Sequence, residues 1–145
     1  MRKIRQDSAA GSAEHGGSEP ERRVSDTILK RFDRPDVVRT FEKGRFEVIQ
    51  IAGCTLGRAT YEPGWKWSVH VGKSLGKSLC DVEHIGIVIA GSAAAALADR
   101  RVIEMHAGDV FYIPPGHDSW VIGDEPYISL HVMGAADYAA KSIEA

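Results

Sequence analysis

The chain has 145 residues, 43% of them hydrophobic, and a formal net charge of −2. That length and apolar content suit one domain with one real core. Residues 1–30 hold six Lys/Arg against five Asp/Glu, leaving twelve against fifteen for the rest, so no basic field remains to hold a phosphate backbone, and nucleic acid is set aside as a partner.

Residues 1–26 are rich in Gly, Ser, Ala, Glu and Arg and nearly lack large apolar side chains. Such a segment cannot offset the entropy of ordering, so it reads as a disordered tail before a domain over 27–145. The tail has basic residues but no apolar h-region, and so does not read as a secretory signal. From Phe32 the texture changes. Arg45 to Ile51 and Cys54 to Tyr61 alternate polar and apolar residues, the mark of half-buried strands. Glu62-Pro63-Gly64 marks a turn. Trp65 to Val71 alternates cleanly, which predicts a strand with Trp65, Trp67, Val69 and Val71 on one face and Lys66, Ser68 and His70 on the other. Gly72 to Asp81 reads as a loop, and the 73–83 segment as a lid or a dimer arm.

Val82 to Ala90 is a strand by its Ile and Val content. In Ser92 to Asp99 the cues conflict. Alanine favours helix, but the run sits between two strand-like stretches, and the expectation is a strand. Arg101 to His106, Val110 to Ile113, Ser119 to Ile122 and Tyr127 to Met133 complete nine strands, and Ala135 to Ile143 reads as a short C-terminal helix. The longest nearly apolar run, Ile85 to Ala98, falls short of the roughly 17–25 residues that a spanning helix needs, so no membrane is expected. Many short strands with frequent turns point to an all-β sandwich or barrel.

Two cysteines, Cys54 and Cys80, make no CxxC pair and no disulfide framework, and read as reduced thiols in a cytoplasmic protein. Six histidines occur. His15 lies in the tail; His70, His84, His106, His117 and His131 lie in or beside predicted strands. Gly64 leads by five residues to His70, six residues separate His84 from Gly91, and Gly108 leads by five residues to Pro114-Pro115-Gly116, followed by His117. This frame resembles the cupin superfamily over roughly Phe46 to Met133. More narrowly, EPGWKWSVHV, CDVEHIGIVIAG and GDVFYIPPGHDSWVIGDEP look like a subgroup of small bacterial cupins of undefined activity.

The resemblance implies an all-β, cupin-type double-stranded β-helix (jelly-roll) barrel and a homodimer. It also implies a metal site, with His70 at a usual ligand position. His84 stands where the family has Glu. Gly72 stands at the second His position, Ser119 at the third and Gly123 at the Asn position. If a strand starts at Gly116, His117 shares a face with Ser119 and reaches the same pocket. The expected metal ligands are therefore His70, His84 and His117.

Three neutral imidazoles suit divalent zinc, iron, nickel, copper or manganese and leave a position open for water or substrate. Asp118 is a candidate to fix a histidine tautomer, and Glu62 and Cys80 are weaker candidates for a fourth ligand. His106 reads as an exposed strand end, His131 as a satisfied histidine, and Cys54 as core. Trp65 and Trp67, opposite His70, are expected to pack outside the pocket or at a dimer contact. Ser68 and Ser119 are expected to face the pocket. The first functional reading is a metal-dependent enzyme (a dioxygenase, isomerase or related activity) on a small polar molecule. The alternatives are a module that binds or senses a metabolite or a metal without turnover, and an empty scaffold with structural histidines.

Overall fold

The computed structural model describes residues 26–137. Its elements in chain order are β1 (Val37–Phe41), β2 (Gly44–Ile51), β3 (Cys54–Tyr61), the one-turn helices α1 (Trp67–His70) and α2 (Gly72–Leu75), β4 (His84–Ala90), β5 (Ser92–Ala96), β6 (Val102–His106), β7 (Val110–Ile113), β8 (Asp118–Ile122) and β9 (Tyr127–Met133). A helix begins at Ala135. Its expected continuation to Ile143 lies outside the described residues, as do residues 1–25 of the expected tail. No helix among the described residues is long and apolar enough to cross a membrane.

All strand pairs are antiparallel. One sheet has the order β1-β2-β3-β9-β4-β7 and the other the order β6-β5-β8. The two form a jelly roll whose inner faces share one core, including Phe46, Val48, Trp65, Val88, Met105 and Phe111. The β2–β3 hairpin turns on Ala52 and Gly53, both at positive φ (48° and 79°); this is the turn hand that matches the twist of paired strands.

Period two explains most of the elements. On β9, Tyr127, Ser129 and His131 point inward and are buried. On β4, His84, Gly86 and Val88 do the same. The alanine run is a strand, as expected. Ala93, Ala94 and Ala95 are all buried in the middle of the smaller sheet, so pairing on both sides overrides the helix propensity of alanine.

The stretch from Trp65 to Val71 departs from expectation. Only Lys66 stays extended, bridging to Trp120, and a helical turn starts at Trp67. Trp67 and Val71 lie four residues apart and are both buried, while Val69 is 53% exposed. A pair at i and i+4 shares one face of a helix, so the apolar positions that fit a strand fit this turn equally well. The carboxylate of Asp118 decides between them. Its Oδ1 accepts a hydrogen bond from the Ser68 N–H (3.0 Å) and its Oδ2 one from the Ser68 hydroxyl (2.8 Å), satisfying an N–H that the first turn of a helix leaves open. The ninth strand is instead β1, Val37–Phe41, where the sequence pattern predicts none.

Candidate metal centre

Three elements converge at one end of the barrel. His84 opens β4, His117 immediately precedes β8, and Cys80 lies in the segment leading into β4. Backbone hydrogen bonds tie Cys80 to His117: Cys80 N–H donates to the His117 carbonyl (2.7 Å), and the Gly116 and His117 N–H groups donate to the Cys80 carbonyl (2.7 and 3.2 Å). The end of the stretch read as a loop is therefore fastened against β8. One donor atom from each of Cys80, His84 and His117 lies within 4.8 Å of the other two, and all three residues are buried. Cys80 Sγ and His84 Nε2 are 3.7 Å apart. Tetrahedral zinc, with its bonds of about 2.3 Å to sulfur and 2.0–2.1 Å to nitrogen, would separate such a pair by about 3.6 Å.

The imidazoles are prepared for ligation. His117 Nδ1 lies 2.7 Å from the Pro114 carbonyl. A carbonyl only accepts, so Nδ1 carries the hydrogen and Nε2 keeps its lone pair, the arrangement that fixes a ligand's tautomer. Burial pulls the His117 pKa below the ordinary histidine range, against opposing contributions from the Pro114 hydrogen bond and Asp118. Burial lowers His84 to about 2, helped by the charges that His131 and His117 would carry. His131 falls to about 4 through burial alone. All three rings are therefore neutral near pH 7, the form that binds metals.

His131 borders this cluster. Its ring centroid is 5.2 Å from that of His84, its Nε2 pairs with Ser129 Oγ at 2.9 Å, and its Nδ1 is buried without a partner. Here the expectation of a satisfied histidine is half right. Gly134 guards the other edge of His84: a Cβ there would lie 2.2 Å from the Glu83 carbonyl oxygen and 2.9 Å from His84 Nδ1. A register shift in the β4–β9 pairing falls beside it, between Ile85 and Gly86, in keeping with the tendency of bulges to re-aim side chains next to sites.

Of the three histidines expected as ligands, the structure brings His84 and His117 together and places His70 elsewhere. On a helical turn, His70 swings toward a separate groove of about 370 Å³ walled by Arg39, Thr40, Val71 and Ser74. There its Nδ1 lies 2.9 Å from the Lys66 backbone N–H. Cys80 occupies the place beside the other two histidines. Glu62 is exposed in its turn. Asp118 holds α1, and the Pro114 carbonyl does the tautomer work expected of it. Ser119 lines the cavity beside His117, whereas Ser68 bonds to Asp118. His106 is exposed as expected, and Cys54 is exposed rather than core.

Trp65 and Trp67 correct the expectation that they pack outside. They are 2% and 4% exposed and wall the cavity that the histidines face. Trp65 stacks on Tyr61 at 3.7 Å. The cavity measures about 40 Å³ and is closed further by Met105, Phe111 and Tyr127.

No protein-family model matches the chain, and no curated protein matches it. Solved structures do. A Rhizobium leguminosarum bv. viciae protein of unknown function superposes with a TM-score of 0.54 at 16% identity, covering 75% of this chain and 97% of that one. A mutant of Bacillus subtilis oxalate decarboxylase, a cupin, gives 0.51 at 21% identity over 70% of this chain and 28% of its own length. A protein of unknown function (DUF1255) from an Acinetobacter species gives 0.50 at 15% identity, covering 74% and 92%. The barrel is a jelly roll of the cupin type. At these identities the likeness extends to the fold alone, since one fold hosts many chemistries.

Proposed function

We propose that this chain is a metalloenzyme that holds one divalent ion through Cys80, His84 and His117 and acts on a small molecule at the remaining coordination position. The carrying observation is the convergence of one thiol and two neutral imidazoles, all buried and with donor atoms within 4.8 Å of one another, with the His117 tautomer fixed by Pro114. The donor set favours ions that accept sulfur and nitrogen, zinc, iron, nickel or copper, over manganese, which suits carboxylates. A bound ion would supply Lewis acidity and a bound water of lowered pKa.

This chain's own residues supply the rest. The aromatic walls exclude bulk water, and the cavity volume limits the reacting group to a few heavy atoms. A second reading, capture of a ligand without turnover, is favoured by the lack of a carboxylate side chain among the described residues that wall the cavity.

Elemental analysis of untagged protein, followed by a turnover screen with the ion found, tests both. About one zinc, iron, nickel or copper per chain with product formation supports the enzyme reading. The same ion with tight ligand capture and no product supports the second. No metal after reloading removes both.

A further inference from the structure

A second space lies apart from the metal end. The groove of about 370 Å³ between β1 and the α1–α2 segment shares no wall residue with the histidine cavity. Its volume falls in the range of roughly 300–1,000 Å³ usual for small-molecule sites. It borders β1, the end strand of the larger sheet.

The fold does not account for Arg39 in this groove. Among the described residues two arginines are half-buried, Arg39 and Arg58. Arg58 has its acid, with Nε donating to Glu47 at 2.7 Å. Arg39 has none: its Nε is sealed from solvent without a hydrogen-bond partner, and no Asp or Glu among the described residues lines the groove. A guanidinium stays charged, and a charge partly withdrawn from water is costly without a counter-charge. Nε itself is out of reach. The two terminal nitrogens are not sealed and have no partner among the described residues, so they form an end-on pair of donors for a ligand.

His70, on the facing wall, brings a third donor. A backbone N–H only donates, so the Lys66 N–H at 2.9 Å makes Nδ1 an acceptor and leaves the ring hydrogen on Nε2. The acid nearest that Nε2 is Glu42 at 4.0 Å, beyond hydrogen-bond reach, and Glu42 is 76% exposed and no part of the walls. The Ser74 hydroxyl is already spent on the Val71 carbonyl at 2.9 Å. Phe41, Val71 and Leu75 give the groove an apolar side.

We infer that this groove binds a small organic carboxylate with an apolar body. The carboxylate pairs with the terminal nitrogens of Arg39 and with His70 Nε2–H, and the body lies against Phe41, Val71 and Leu75. One guanidinium balances one negative charge, and its fork matches the two oxygens of a carboxylate; a phosphate monoester brings nearly two charges. The site does not depend on an ion at Cys80, His84 and His117.

Calorimetric titration of the full chain with sodium benzoate, with backbone amide shifts recorded alongside, tests it. Benzoate is expected to bind saturably, to move the amide signals of Thr40, His70 and Ser74, and to leave those of His84 and His117 in place. Benzamide, which keeps the shape without the charge, is expected to bind about tenfold or more weakly. Acetate, which keeps the charge without the body, is expected to lose about tenfold. Arg39→Gln is expected to cost about tenfold or more in benzoate affinity, and Arg39→Lys to recover part of it. Arg31→Gln removes an exposed arginine paired with Asp33 and is expected to change nothing. The benzamide and acetate comparisons use the unaltered chain, so they decide the matter even where Arg39→Gln fails to fold. Benzamide binding as tightly as benzoate, phenylphosphonate binding more tightly, unchanged affinity in folded Arg39→Gln, or shifts confined to the His84 and His117 amides would each overturn the inference, as would a lack of saturable binding.

Discussion

Two histidines, His70, three residues after Trp67, and His84, four residues after Cys80, sit in opposite circumstances. His84 lies on a strand, inward, 6% exposed, with a thiol at 3.7 Å and a second imidazole ring 5.3 Å away. His70 lies on a helical turn, facing a polar groove, with the exposed Glu42 at 4.0 Å as its nearest acid. The family spacing picks out His70 by its residue type, yet the backbone carries it away from the cluster. What sets His84 apart from His70 is strand phase, burial and the neighbouring thiol, and a one-dimensional spacing contains none of these.

The strongest way to break that contrast is to delete each ring. His84→Ala and His117→Ala are each expected to lower metal affinity at least 10–100-fold, the loss seen even for partners that merely support a ligand, whereas His70→Ala is expected to leave metal content unchanged. Cys80→Ser should fall with the first group, since a hydroxyl is a poor substitute for thiolate at a soft ion. Elemental analysis of the four variants after identical loading reads the outcome. Loss of metal in His70→Ala with retention in His84→Ala would reverse the assignment.

Acid separates the two regions next. His131 is held near pKa 4 against an ordinary 6.5, and His84 is lower still. Between these values the unfolded chain binds protons that the folded one refuses, so folding stability is fully present above about pH 6.5 and is lost as pH falls. For His131 alone the loss down to pH 4 is about 3 kcal/mol, and His84 adds to it. Urea titrations of chelator-treated protein at pH 7, 6 and 5 measure the slope. His131→Asn is expected to flatten it by about one proton.

Much of this was legible in the sequence and some was not, for physical reasons. Strands such as Arg45–Ile51 and Tyr127–Met133 announce themselves because one face is buried and period two follows. His117 and Ser119 were placed on one face by the same logic, and both line the cavity. Trp65–Val71 reads as a strand because Trp67 and Val71 satisfy both periods, and the deciding group, Asp118, is fifty residues away from Ser68 in the chain. Cys80 stays a weak candidate in the sequence because nothing local announces its backbone pairing with His117. That the buried indole nitrogens of Trp65 and Trp67 lack a partner is not legible at all, since a missing partner is a property of the packed state.

A glycine comparison probes how tightly the metal end is built. Gly134 has φ +91°, and a side chain there would strike the Glu83 carbonyl, while Gly53, at φ +79°, faces open space. Gly134→Ala is expected to cost about 3 kcal/mol or more, from backbone strain together with the clash, and to lower metal affinity by displacing His84. Gly53→Ala should cost about 1 kcal/mol, the strain alone. Denaturant midpoints read both, and equal costs would show that the backbone at His84 yields more easily than its contacts imply.

The smallest effect expected is at Asp118. The sequence reading made it a partner of a ligating histidine, whereas the structure makes it the anchor of α1, accepting from Ser68 N–H and Oγ and from its neighbour Ser119 N–H. Lys66 Nζ lies 3.6 Å from it and is half exposed, so that ion pair adds little. Ser68→Ala removes one of these bonds and should cost about 1 kcal/mol, without changing metal content. Asp118→Ala removes the anchor and should cost about 2 kcal/mol. Because α1 begins with Trp67, the damage should then pass to the cavity wall. Metal affinity would hold while stability falls, a split that a tautomer-fixing Asp118 would not give, since that role predicts loss of the metal first.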